Sequence, residues 1–120
     1  MGSGASYPQA MVTPVDEVAS FLRDLLGRRL VAYMAGVEKA ETVSRWASGE
    51  VESVRQESEE CLRTANEVTQ LLVQFDSPRL VKAWFIGLNP QLDDVSPAEA
   101  IREGKLKEAK AAARVFVAGG

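Results

Sequence analysis

The chain predicts an all-α fold, a compact bundle of about seven helices. Three observations carry this. Apolar residues recur at helical spacing in several separate stretches, most plainly Cys61, Ala65, Val68, Leu72 and Phe75 at i, i+4, i+7, i+11 and i+14. These stretches are punctuated by Gly27, Gly36, Gly49 and Gly104 and by Pro14, Pro78, Pro90 and Pro97, residues that stop or open helices. No run of strand length alternates apolar and polar side chains, and there is no internal repeat.

With 120 residues, 46% hydrophobic and 26% charged, the chain has the make-up of an ordinary soluble globular domain with a modest core. No stretch approaches the roughly 18 consecutive apolar residues of a membrane span. The opening MGSGASYPQA lacks a basic segment followed by an apolar run, so no secretory signal is expected and the predicted location is cytoplasmic. A single cysteine excludes an internal disulfide.

Residues 1–12 are small, polar and Gly/Ser-rich, and are expected to form a disordered arm. Thr13 stands where it can cap the first helix, with Pro14 in the first turn and Asp16 and Glu17 against the positive end of the dipole. Val15, Val18, Leu22, Leu25 and Leu26 form its apolar stripe. A second helix over about 28–35 turns Leu30, Val31 and Met34 inward, and Gly36 breaks it. A third over about 41–48 turns Val43, Trp46 and Ala47 inward, although no Ser, Thr, Asp or Asn stands just before Glu41 to cap it. Short helix, Gly-containing turn, short helix is the layout of a helix-turn-helix.

The fourth helix is predicted from near Glu52 to Phe75, with Leu62 and Leu71 beside its stripe. Ser77-Pro78 opens a fifth, which carries Leu80, Val81, Trp84, Phe85 and Leu88; Trp84, Phe85 and Leu88 are spaced for one face. Asn89-Pro90 stops it. Ser96-Pro97-Ala98-Glu99 is a capping box that opens a short sixth helix, and Gly104 stands where its end needs a left-handed residue. The seventh begins near Lys105, carries Leu106, Ala109, Ala113 and Phe116, and ends in the apolar tip Val115-Phe116-Val117.

The order Trp84, Asn89-Pro90-Gln91-Leu92, Ser96-Pro97, short helix, Gly104 resembles the toxin-binding domain of the Xre/MbcA/ParS-type antitoxins. The segment from Thr42 to Gly49 is similar to the recognition helix of Xre-type regulators, which ends in an aromatic residue, two small or polar residues and Gly. The Val115-Phe116-Val117 ending is similar to the tail of mycobacterial-type members. The resemblance covers about residue 28 to the C-terminus. It implies an antitoxin that neutralises a RES-domain, NAD-consuming toxin by covering or plugging its active site. On this reading the arm is 1–12, a helix-turn-helix-like region spans 13–50, and a helical toxin-binding region spans 51–120.

The expected toxin contacts are Trp84, Asn89 and Leu92 of the motif together with the last helix. There Lys105, Lys107, Lys110 and Arg114 would steer or rim the contact, and Val115, Phe116 and Val117 would insert. The tip is expected to stand free of the bundle, so that its deletion leaves the melting temperature unchanged. Operator DNA is a possible second partner, met by Thr42, Ser44 and Arg45 while Val43 and Trp46 face the core. Charge alone does not mark a DNA-binding face. Residues 28–50 hold four basic against three acidic side chains, residues 51–76 two against six, and residues 77–120 seven against five.

An enzyme is not expected. There is no histidine, no Gly-rich phosphate loop and no base beside a Ser or Thr. Asp93-Asp94 has no third ligand at usable spacing, so it reads as a solvated loop and no metal or cofactor is predicted. Cys61, on an apolar stripe, reads as a small buried residue. Glu103 and Glu108 interrupt the basic face of the last helix, which speaks against a membrane surface. The generous apolar stripe of the fourth helix predicts a homodimer or a hetero-oligomer with the toxin. The alternative readings are a helix-turn-helix transcriptional regulator without a toxin partner and a plain helical scaffold.

Overall fold

The computed structural model describes residues 12–119, so the expected arm, Val12 apart, falls outside the described residues. The described chain is all-α. Its helices are α1 (Val15–Leu26), α2 (Arg28–Ala35), α3 (Ala40–Ala47), α4 (Gln56–Leu72), α5 (Pro78–Ile86), α6 (Pro97–Arg102) and α7 (Leu106–Val117), with a 3₁₀ turn at Pro90–Leu92. The long helix α4 touches α1, α2, α6 and α7, while α3 lies on α1 and α2, and α5 on α1 and α6. One core runs through both halves of the sequence, from Val18, Leu22 and Leu26 through Met34, Val43 and Trp46 to Leu62, Leu72, Phe85 and Ile101. The regions 13–50 and 51–120 therefore share a core.

Most helix ends form where the sequence places them, for the expected reasons. Ser77 Oγ accepts the Leu80 N–H and Ser96 Oγ accepts the Glu99 N–H at 3.0 Å. Gly104, at φ 84°, closes α6: its N–H bonds the Ile101 carbonyl and the Lys105 N–H bonds the Ala100 carbonyl. This is the Schellman pairing, and only a residue at ease in the left-handed region supplies it without strain.

Four expectations are corrected. Thr13 does not cap α1; the Glu17 and Val18 N–H groups bond the Pro14 carbonyl, and the Thr13 carbonyl instead accepts Arg63 Nη1 at 2.7 Å. Helix α4 starts at Gln56, because residues 51–54 close a separate turn through the Val54 N–H and the Val51 carbonyl. It ends at Leu72, whose carbonyl accepts both the Phe75 and Asp76 N–H groups, so Phe75 leaves the stripe and is 62% exposed. Helix α5 stops at Ile86, before Asn89-Pro90, so Leu88 is not on its buried face and is 77% exposed. Val81 and Phe85 are fully buried, whereas Leu80 is exposed.

An added Cβ at Gly104 meets no atom within 4 Å, so the cost of substitution there is backbone conformation alone. Gly104→Ala should cost about 1–2 kcal/mol, lowering the thermal midpoint by several degrees at unchanged helicity. A calorimetric melt identical to that of the parent chain would show that the left-handed turn is dispensable.

Candidate functional site

The loop between α5 and α6 is built on Asn89. Its N–H bonds the Val95 carbonyl at 3.1 Å, its carbonyl accepts the Leu92 and Asp94 N–H groups at 2.9 Å each, and its Oδ1 accepts the Gln91 N–H at 2.8 Å. The Asn89 backbone and Oδ1 thus fold the loop, and the residue is buried. Pro90 opens the 3₁₀ turn, and Asp93 and Asp94 take left-handed backbone conformations (φ 57° and 67°) that Asp tolerates better than most residues. Both carboxylates are exposed. Leu92 points inward, where it packs with Ala100, Ala112, Val95 and Trp84 in a small second core.

Above that small core stands Trp84. It is half-buried and touches both hydrophobic clusters. Its ring meets Phe85 edge-on, with centroids 5.3 Å apart, and lies tilted against Phe116 of α7 at 6.1 Å. The indole N–H is buried and has no acceptor among the described residues. Trp84, Asn89, Val115 and Phe116 line one concavity of about 230 Å³, completed by Leu88, Pro90, Gln91 and Ala112. Leu80 and Ala83 are exposed on α5, Leu88 is exposed just beyond its end, and Phe116, 43% exposed, lines the concavity with Trp84 and Leu88. The result is an apolar surface shared by α5, the loop and the end of α7.

The structure therefore brings together Trp84, Asn89, Val115 and Phe116, and sets Leu92 beneath them. It separates the others. Lys110 and Arg114 line a different groove, against Val68 and Leu71 of α4 and Gln74 just beyond it, and Lys110 Nζ lies 3.6 Å from Glu67. Lys107 is exposed, and Lys105 is exposed and 3.6 Å from Glu103. Val117 packs on the main core. The expected free tip is thus corrected: α7 stays helical through Val117, with Val115 and Phe116 lining the concavity and Val117 on the core. Leu88 and Pro90 were not foreseen. Gly87, a helix breaker before Asn89-Pro90, was the signal that Leu88 lies outside the helix.

On α3, Val43 and Trp46 are buried as expected and Arg45 is exposed. Thr42 and Ser44 are half-buried and do not share a face with each other, since residues two apart on a helix point different ways. Ser44 Oγ accepts Arg28 Nη1 at 3.3 Å. The exposed side of α3 is Glu41, Arg45 and Ser48.

No family model matches the chain, nor does any curated protein or any solved structure. No helix among the described residues is long and apolar enough to cross a membrane. Cys61 is buried and its thiol donates to the Ile101 carbonyl at 3.2 Å. Burial, then Glu60 and Glu57, push the thiol up from its ordinary range, so it stays protonated and unreactive at neutral pH.

Because Val117 is packed on the core, removing residues 115–120 should lower the melting temperature by several degrees, a cost on the order of 1–3 kcal/mol for the lost burial. Circular-dichroism melting of the truncated chain checks this. An unchanged midpoint would show that the last turn contributes nothing to the fold.

Proposed function

We propose that this chain is an antitoxin that binds a RES-domain toxin through the Trp84–Phe116 surface and covers the toxin's NAD-consuming site. The observation that supports this is the convergence of Trp84, Pro90 and Phe116, which carry the resemblance, with exposed Leu88 on one apolar concavity. Exposed apolar side chains gathered around a concavity mark a contact site. The partner is a protein, the complex is a hetero-oligomer, and neither a metal nor a cofactor takes part. The stripe of α4 is consumed within the chain, with Cys61, Leu62, Ala65, Val68 and Leu72 all buried, so it offers no ground for a homodimer.

Leu88 is the residue to test first, because its exposure uncouples binding from folding. Leu88→Asp should leave the melting temperature within about a degree and weaken inhibition of a candidate RES toxin's NAD consumption by at least about tenfold. Full inhibition by the variant would place neutralisation elsewhere. A regulator without a toxin partner would instead show no inhibition by the parent chain.

Operator binding through α3 is the second reading, favoured by the outward Arg45 over the buried pair Val43 and Trp46. Arg45→Ala should weaken a salt-dependent gel shift on the chain's own upstream DNA several-fold and leave the melt unchanged. Loss of helicity in this variant would assign Arg45 to the fold.

A further inference from the structure

Arg28 and Arg29 at the start of α2, Tyr33 one turn on, and Arg102 at the end of α6 surround a second concavity, of about 460 Å³. Arg102 comes from the opposite half of the sequence. It is fixed there by two contacts: Nη1 donates to the Tyr33 carbonyl at 2.6 Å, and its guanidinium lies 4.7 Å over the Tyr33 ring. Arg28 is held by Ser44 of α3. None of the three guanidiniums is within ion-pair distance of a carboxylate among the described residues. Glu38 is the one carboxylate in the lining, against three guanidiniums.

This is unusual placement for a chain of net charge -3. Arginines left as solvated surface charge normally spread or pair. Here two are held by uncharged groups, a carbonyl, an aromatic ring and a hydroxyl, which positions them without neutralising them. Each keeps most of its five N–H donors for another anion, and the loss of side-chain freedom has already been met. Guanidiniums so arranged suit phosphate oxygens.

We propose that this concavity is a phosphate clamp, in which Arg28, Arg29 and Arg102 take the sugar-phosphate backbone of a nucleic acid approached by α3. It rests on the operator-binding reading above. The Arg28–Ser44 hydrogen bond is what ties the clamp to α3: it sets the concavity on the flank of the helix whose outer face carries Arg45. Base-proximal and backbone-proximal contacts are thereby joined in one surface, and α6 contributes to it although it belongs to the half of the chain that carries the Trp84 face.

The test is a fluorescence-anisotropy titration of the full chain with a labelled mixed-sequence DNA duplex, repeated across salt concentrations. Arg29→Gln, which removes no side-chain hydrogen bond or ion pair among the described residues, and Arg102→Gln should each weaken binding about three- to tenfold and reduce the slope of log K against log salt by about one. Arg102→Lys keeps the charge and should restore the slope. Weakening by Arg45→Ala with no change in slope for Arg29→Gln or Arg102→Gln would overturn the clamp and leave the reading of α3 standing. Absence of duplex binding by the parent chain would overturn both. Competition by polyglutamate as strong as that of unlabelled duplex would assign the concavity to an acidic protein segment and overturn the nucleic-acid assignment.

Discussion

The fold depends on α4 satisfying the ends of other elements. Three of its side chains donate to backbone carbonyls at the edges of other helices, the Ile101 carbonyl being shared with the Gly104 N–H. Ser58 Oγ donates to the Ala35 carbonyl at the end of α2, the Cys61 thiol to the Ile101 carbonyl near the end of α6, and Arg63 to the Thr13 carbonyl before α1. Terminal carbonyls have no partner within their own helix, and buried ones are costly if left so. A central helix that supplies those donors fixes where its neighbours stop as well as where they pack. The same helix receives α7, whose Ala109 and Ala113 are fully buried and small enough to let the two backbones come close. The last turn of α7, and with it Phe116, therefore has a set position beside Trp84. The candidate surface is carried on packed helices, and such a surface loses little freedom when a partner docks.

Asn89 sets the shape of the loop between α5 and α6. Its backbone makes three hydrogen bonds within the loop and its Oδ1 a fourth. What it does is turn the chain so that Leu88 and Pro90 face outward while Leu92 faces in. A resemblance carried by Asn-Pro-x-Leu is thus first a statement about loop shape. The residues this shape exposes are Leu88 and Pro90, beside Phe116 of α7.

Much of this was legible in the sequence. Helix count and order follow from punctuation by Gly and Pro, because those residues act through local backbone sterics that need no tertiary context. The core positions Val43, Trp46, Cys61, Ala65, Val68 and Leu72 follow from period alone. The failures also have physical reasons. Val51 and Val54 pack on the core from a turn, and apolar residues there extend the apparent period of α4 beyond its hydrogen-bonded length. Phe75 fits the same period and is released because the backbone turns first. Thr42, Ser44 and Arg45 were grouped by polarity, when spacing already denies residues 42 and 44 a common face. The contact between Arg102 and Tyr33 spans 69 positions and lay beyond any local pattern.

Helix α6 gathers these threads. Six residues cannot hold a helix in water by propensity, since nucleation is unfavourable and few bonds follow it. It persists because Ser96 caps one end, Gly104 closes the other, and Ala98, Ala100 and Ile101 are buried between. Its interior is divided: Ala98 and Ile101 belong to the main core, and Ala100 to the small core under the Asn89 loop. Its last residue, Arg102, reaches α2. A short, doubly capped helix is therefore the spacer that holds the loop at a fixed distance from the guanidinium concavity. This explains why the most specific stretch of the sequence, Trp84 to Gly104, is a structural prescription before it is a binding one. It specifies a stop, a folded loop and a braced helix, and both candidate surfaces are built on what that prescription holds in place.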